Sequence, residues 1–177
     1  MNKPKTSMCL ESKPDFLWFA EAQRYLFSAE VMRKSPEYSQ SSLLIAPTLH
    51  LLAHGIELFL KANLVQAGVA ESDVRGFSHN LWRLWEDDRN ADARIKILDM
   101  AKEEWLAAKS DQRWNDDFSQ FAEIPLEEYL KRLSELHSRD TDYALRYVRP
   151  QGTEGPKPHL LSATFYRMAN QRIREMR

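Results

Sequence analysis

One cysteine, Cys9, in 177 residues excludes an intrachain disulfide and a cysteine-based zinc cluster, and fits a reducing compartment. Five glycines and eight prolines are too few for the turns of a many-stranded β fold. An excess of one charge is missing as well. With 25 basic residues against 26 acidic ones the net charge is -1, so no overall field draws the chain to nucleic acid or to a membrane. Such binding must come from a local patch. The sequence also lacks a glycine-rich phosphate loop, a serine nucleophile elbow, an EF-hand loop, internal repeats and low-complexity tracts. The N-terminal stretch MNKPKTSMCLESKP has no apolar core of the length a secretory signal needs. These absences predict an all-α, soluble, cytoplasmic protein with no membrane partner. Residues 1–13 are expected as a disordered or flexible arm, and residues 14–177 as a single helical domain.

What the sequence does hold is a long apolar segment, SSLLIAPTLHLLAHGIELFLKANLVQAG, from Ser41 to Gly68. Wound at about 3.6 residues per turn, it puts His50, His54, Glu57 and Lys61 along one line, with aliphatic and aromatic side chains in most other directions. A helix apolar nearly all round is normally buried, so its polar line must meet partner side chains, water or a ligand. His50, His54, Glu57 and Lys61 also make a membrane span costly.

The remaining elements are read around that helix. Ser12 can cap a first helix running to about Lys34, with Pro14 in its opening turn and a core stripe of Trp18, Ala22, Tyr25, Ala29 and Met32, widened by Phe16, Phe19 and Phe27. Ser35-Pro36 ends it. Pro47 either kinks the long second helix or starts it, and Gly68 suits its C-terminus. Val69 to Ser78 reads as a connection, after which Ser78 can cap a short helix carrying Leu81, Trp82, Leu84 and Trp85. Ile95, Ile97, Leu98, Ala101, Trp105 and Leu106 predict a third long helix over Ala91 to Lys109. Trp114, Phe118 and Phe121 are expected to fold back on the core. Pro125 opens a fourth long helix reaching about Ser138. Three prolines and two glycines break Asp140 to Pro158, and a last helix follows from His159 towards Met176 with Leu161, Phe165, Met168 and Ile173 inward.

Several constellations carry chemistry. His50 and His54 have the i, i+4 spacing that lets two imidazoles share a metal, with Glu57 one turn further on. The zincin pattern needs glutamate where Leu51 stands, and spacing places no third histidine, so no metal or other cofactor is assigned. Glu57 and Lys61 form a favourable i, i+4 ion pair. Arg132 and His137 combine a bidentate phosphate grip with a proton donor or acceptor, the parts of metal-free RNA cleavage. On a straight helix, however, residues five apart point about 140° away from each other. Arg139, Arg146 and Arg149 around Tyr143 and Tyr147 make a basic and aromatic cluster able to grip phosphate and stack a base, although arginines lying over tyrosine rings serve packing equally. His79 stands at a helix start, as a cap, a hydrogen-bonding residue or a site residue.

Taken together, AHGIELFLKANLVQAG, then FSHNLWRLW, then Arg132-x4-His137 and ALRYVRP resemble the HEPN domain superfamily. The resemblance extends from about Phe16 to Tyr166. It implies an up-and-down bundle of four to five helices that forms a homodimer. It further implies an RNA-directed protein, in many members a metal-independent endoribonuclease of a toxin or defence system whose Arg-x4-6-His pairs meet across the dimer. Mapped here, that pair is Arg132 and His137, with Arg139, Arg146, Tyr147, Arg149 and His79 as RNA or ligand contacts. Leu133 follows the arginine where active members usually carry a polar residue. Other members have lost the motif and act as non-catalytic interaction or nucleotide-binding modules with a partner protein.

Overall fold

The computed structural model describes residues 13–139, 143–145 and 154–177, and all secondary structure among them is helical. Ser12, the N-terminal arm before it, and Arg146, Tyr147 and Arg149 lie outside the described residues. Five long helices make the bundle: α1 (Pro14–Lys34), α3 (Ile45–Gln66), α6 (Ala91–Asp111), α7 (Glu123–His137) and α8 (His159–Glu175). Three short ones connect them: α2 (Pro36–Gln40), α4 (Glu71–Arg75) and α5 (Leu81–Glu86). The buried apolar residues form one core cluster.

Helix α3 is the core element. It begins at Ile45, so Pro47 occupies the first turn, where its missing N–H removes no helix bond. It ends in a Schellman arrangement. Gly68 takes φ +87°, Gly68 N donates to Val65 O at 3.0 Å and Val69 N to Leu64 O at 3.0 Å. Helix α1 packs on α3 more extensively than any other pair, and Gly55 permits it. A Cβ there would come within 2.8 Å of Leu26 Cγ and 3.1 Å of Leu26 N. The segment Ser42–Gln66 is long and apolar enough to cross a membrane, but half of it is buried inside the fold, as in the core helix of a globular protein.

Several faces differ from the periodicity. The buried stripe of α1 is Phe16, Phe19, Ala22, Leu26 and Ala29, rotated from the Trp18–Tyr25–Met32 line because α1 contacts both α3 and α8. Phe27 therefore faces outward, and Ile95, Leu106 and Phe121 are exposed too. Trp114 and Phe118 do pack against the core. The connection after Gly68 contains α4, and α5 is capped by Asn80, whose Oδ1 accepts from Arg83 N at 2.8 Å, rather than by Ser78. Ser78 instead adopts φ +51°. In α8, Leu161, Phe165, Met168 and Ile173 face the core as the pattern predicts.

Candidate functional site

The polar line of α3 meets α7 and the loop before α5 around a single carboxylate. Glu57 is only 3% exposed, and its Oε1 accepts a 2.7 Å hydrogen bond from Lys61 Nζ, one turn along the same helix. Lys61 is itself buried and donates a second bond to Ser78 O at 2.8 Å. The left-handed backbone of Ser78 belongs to that contact: it turns the carbonyl towards Lys61 and delivers the next side chain, His79, to the other carboxylate oxygen. His79 Nδ1 lies 3.0 Å from Glu57 Oε2.

From the opposite side comes His137, the last residue of α7, which has no exposed surface. Its Nε2 lies 2.9 Å from the same Glu57 Oε2. Two contacts between α5 and α7 fix this meeting. Ser134 Oγ accepts from Trp82 N at 2.9 Å, and Trp85 Nε1 donates to Glu127 Oε1 at 3.1 Å. His54 Nδ1 stands 3.8 Å from Glu57 Oε2, too long for a hydrogen bond, with its ring held edge-on to Tyr25 at 4.5 Å. His50 flanks the group, its ring 6.0 Å from that of His137, and Tyr143 lies 5.7 Å from His79. Of the three described non-glycine residues with positive φ, Gln112 caps α6, while Ser78 and Tyr143 both border this cluster.

Electrostatics follow from the partners. Burial pushes the Glu57 carboxyl up, but His137, His54, Lys61 and His79 together hold it well below the usual carboxylate range. It is therefore an anion and accepts only. The bonding imidazole nitrogens, Nδ1 of His79 and Nε2 of His137, must then carry the hydrogens. The site joins a fixed negative charge, a buried ammonium and several imidazoles, of which His54 and His79 have roughly quarter-exposed side chains.

The structure thus brings Glu57, Lys61, His54, His79 and His137 together, with His50 at the edge. It does not put Arg132 among them. The Arg132 side chain is half exposed, 3.4 Å from Glu135 Oε2 and from Glu154 O. Arg139 is exposed as well. The link that periodicity could not supply is His137 to Glu57, which joins residues 80 apart in the chain. Tyr143, placed in the sequence only among the basic residues that follow α7, also belongs here through its ring contact with His79.

Comparison with family models, with curated proteins and with solved structures finds no match to this chain.

Proposed function

We propose that this chain is a HEPN-like, non-catalytic interaction module that self-associates, rather than an Arg-x4-His ribonuclease. The observation that carries this reading is the burial of His137, whose Nε2 is committed to Glu57 while Arg132 faces solvent beside Glu135. A general acid or base has to reach the 2'-hydroxyl or the leaving oxygen within hydrogen-bond distance, and an arginine has to reach the same phosphate. A histidine without exposed surface does neither. Leu133, buried against the core beside Arg132, supports the same assignment.

A module needs a surface, and the outward face of α1 supplies one. Leu17, Phe27 and Val31 are each about half exposed and fall within about 80° of one another around the helix. A second copy of the chain would cover this face, in keeping with the homodimer implied by the resemblance. Two measurements test it. A labelled mixed RNA incubated with micromolar protein and EDTA should stay intact. Cleavage by wild type that disappears in both Arg132→Ala and His137→Ala would make the protein a metal-free ribonuclease. Light scattering behind size exclusion should give twice the chain mass for wild type and a monomer for Phe27→Asp. A wild-type monomer throughout the micromolar range would remove the self-association.

A further inference from the structure

The Glu57 cluster carries a second property that the interaction reading does not use. Ordinary hydrogen bonding accounts for two of its imidazoles: an ionised carboxylate oxygen offers two lone pairs, and His79 and His137 each take one on Oε2. It does not account for His54. That side chain aims Nδ1 at the same oxygen from 3.8 Å, a nitrogen held in place by the α3 backbone and by Tyr25 without a bond to the atom it faces. His54 Nδ1, Glu57 Oε2 and His137 Nε2 all lie within 4.8 Å of one another.

We infer that His54, Glu57 and His137 form a binding site for a borderline-soft divalent metal ion such as Zn2+. The donor set, two imidazoles and a carboxylate, is that of zinc centres which keep a coordination position open. The spacing fits. Metal–ligand bonds of about 2.0–2.1 Å in a tetrahedron put neighbouring donor atoms about 3.3 Å apart. The observed separations from Oε2, 2.9 Å to His137 and 3.8 Å to His54, bracket that value. The third separation, His54 Nδ1 to His137 Nε2, lies within 4.8 Å, so the two imidazoles draw together around the ion to close the shell.

The surroundings suit the same use. Lys61 holds Oε1, which turns Oε2 towards the imidazoles, and His79 donates to the lone pair of Oε2 that the metal leaves over. Hydrogen-bonded outer partners of this sort orient a ligating carboxylate. Binding would replace the hydrogen on His137 Nε2, so one proton is released or moves to the other ring nitrogen of that histidine. The partial exposure of His54 and His79 gives the cluster access to solvent, from which water or a small anion would complete the tetrahedron. His50, although i, i+4 from His54 in sequence, is outside the donor set, because its ring lies beside His137 rather than on the carboxylate.

The test uses the untagged full-length chain, stripped with chelator and titrated with Co2+ as a visible probe and then with Zn2+ in competition. One equivalent should bind, with the intense absorption of tetrahedral Co2+, and Zn2+ should displace it. His54→Ala, a half-buried position whose loss spares the core, should weaken binding at least 100-fold. His79→Ala should weaken it about 10- to 100-fold by removing the outer partner, and His50→Ala should leave it unchanged. Circular dichroism checks that each variant is folded. Absence of saturable binding up to about 100 µM metal would overturn the site, as would a folded His54→Ala that binds like wild type. Neither result depends on RNA cleavage or on self-association, so this site and the module reading fail separately.

Discussion

Glu30 on α1 and Glu57 on α3 both carry buried carboxylates, and their partners differ in kind. Glu30 takes Arg33 on both oxygens, at 2.6 and 3.0 Å, Lys34 at 2.8 Å, and the Ser162 hydroxyl from α8. Glu57 takes one lysine and faces three imidazoles. A guanidinium stays protonated and coordinates no metal, so the Glu30 group can only hold α1 to α8. An imidazole can give up its hydrogen and become a ligand, so the Glu57 group keeps a chemical option that burial alone would not reveal. Similar burial therefore serves two purposes, and the identity of the bases separates them.

Breaking the two groups separately should separate their costs. The largest effect is expected from Glu57→Ala, which leaves the Lys61 ammonium buried without its counter-charge. Loss of about 3–5 kcal/mol in urea-unfolding stability is expected. A loss below about 1 kcal/mol would mean that water reaches Lys61 freely. Glu30→Ala should cost somewhat less, about 2–4 kcal/mol: the Arg33 guanidinium, only 13% exposed, loses its bidentate partner and the Ser162 hydroxyl its acceptor, but Lys34 is largely exposed and rehydrates.

Acid sharpens the contrast further. Burial pushes the Glu30 carboxyl up, but its bonds to Arg33, Lys34 and Ser162 hold it below its ordinary value. A lowered folded-state pKa contributes stability above the unfolded value, about 4.3, and that contribution is lost as pH falls through the folded value. The stability gap between wild type and Glu30→Gln should therefore be constant from pH 7 to about pH 5 and shrink below that. A gap that widens towards pH 3 would reverse the assignment. The smallest effect belongs to Arg132→Ala. Its ion pair with Glu135 is solvent-exposed, so stability should change by no more than about 0.5 kcal/mol. A larger loss would show that Arg132 holds the α7 end in place.

Much of the fold follows from short-range pattern. Pro14, Ser35-Pro36, Gly68 and Pro125 mark helix limits through backbone geometry that each residue imposes on its own neighbours. Where two faces of a helix are both apolar, the pattern is silent about which one wins. In α1 the choice went to Phe16, Phe19 and Leu26, and in α6 Leu106 was left outside. The stretch after Gly68 offered turn residues and charges, yet α4 forms there around the buried Val74.

The site divides along the same line. The i, i+4 pairing of Glu57 with Lys61 and the alignment of His54 with them were set by the sequence, because one turn of α3 fixes their spacing whatever surrounds it. That Glu57 also receives His79 and His137 was decided only by tertiary packing. Those residues are 22 and 80 positions away, and they arrive because α5 is bonded to α7 and Ser78 turns left-handed. No local spacing encodes such a meeting. It depends on which helix faces the core excludes from water, and that is settled by the whole chain at once.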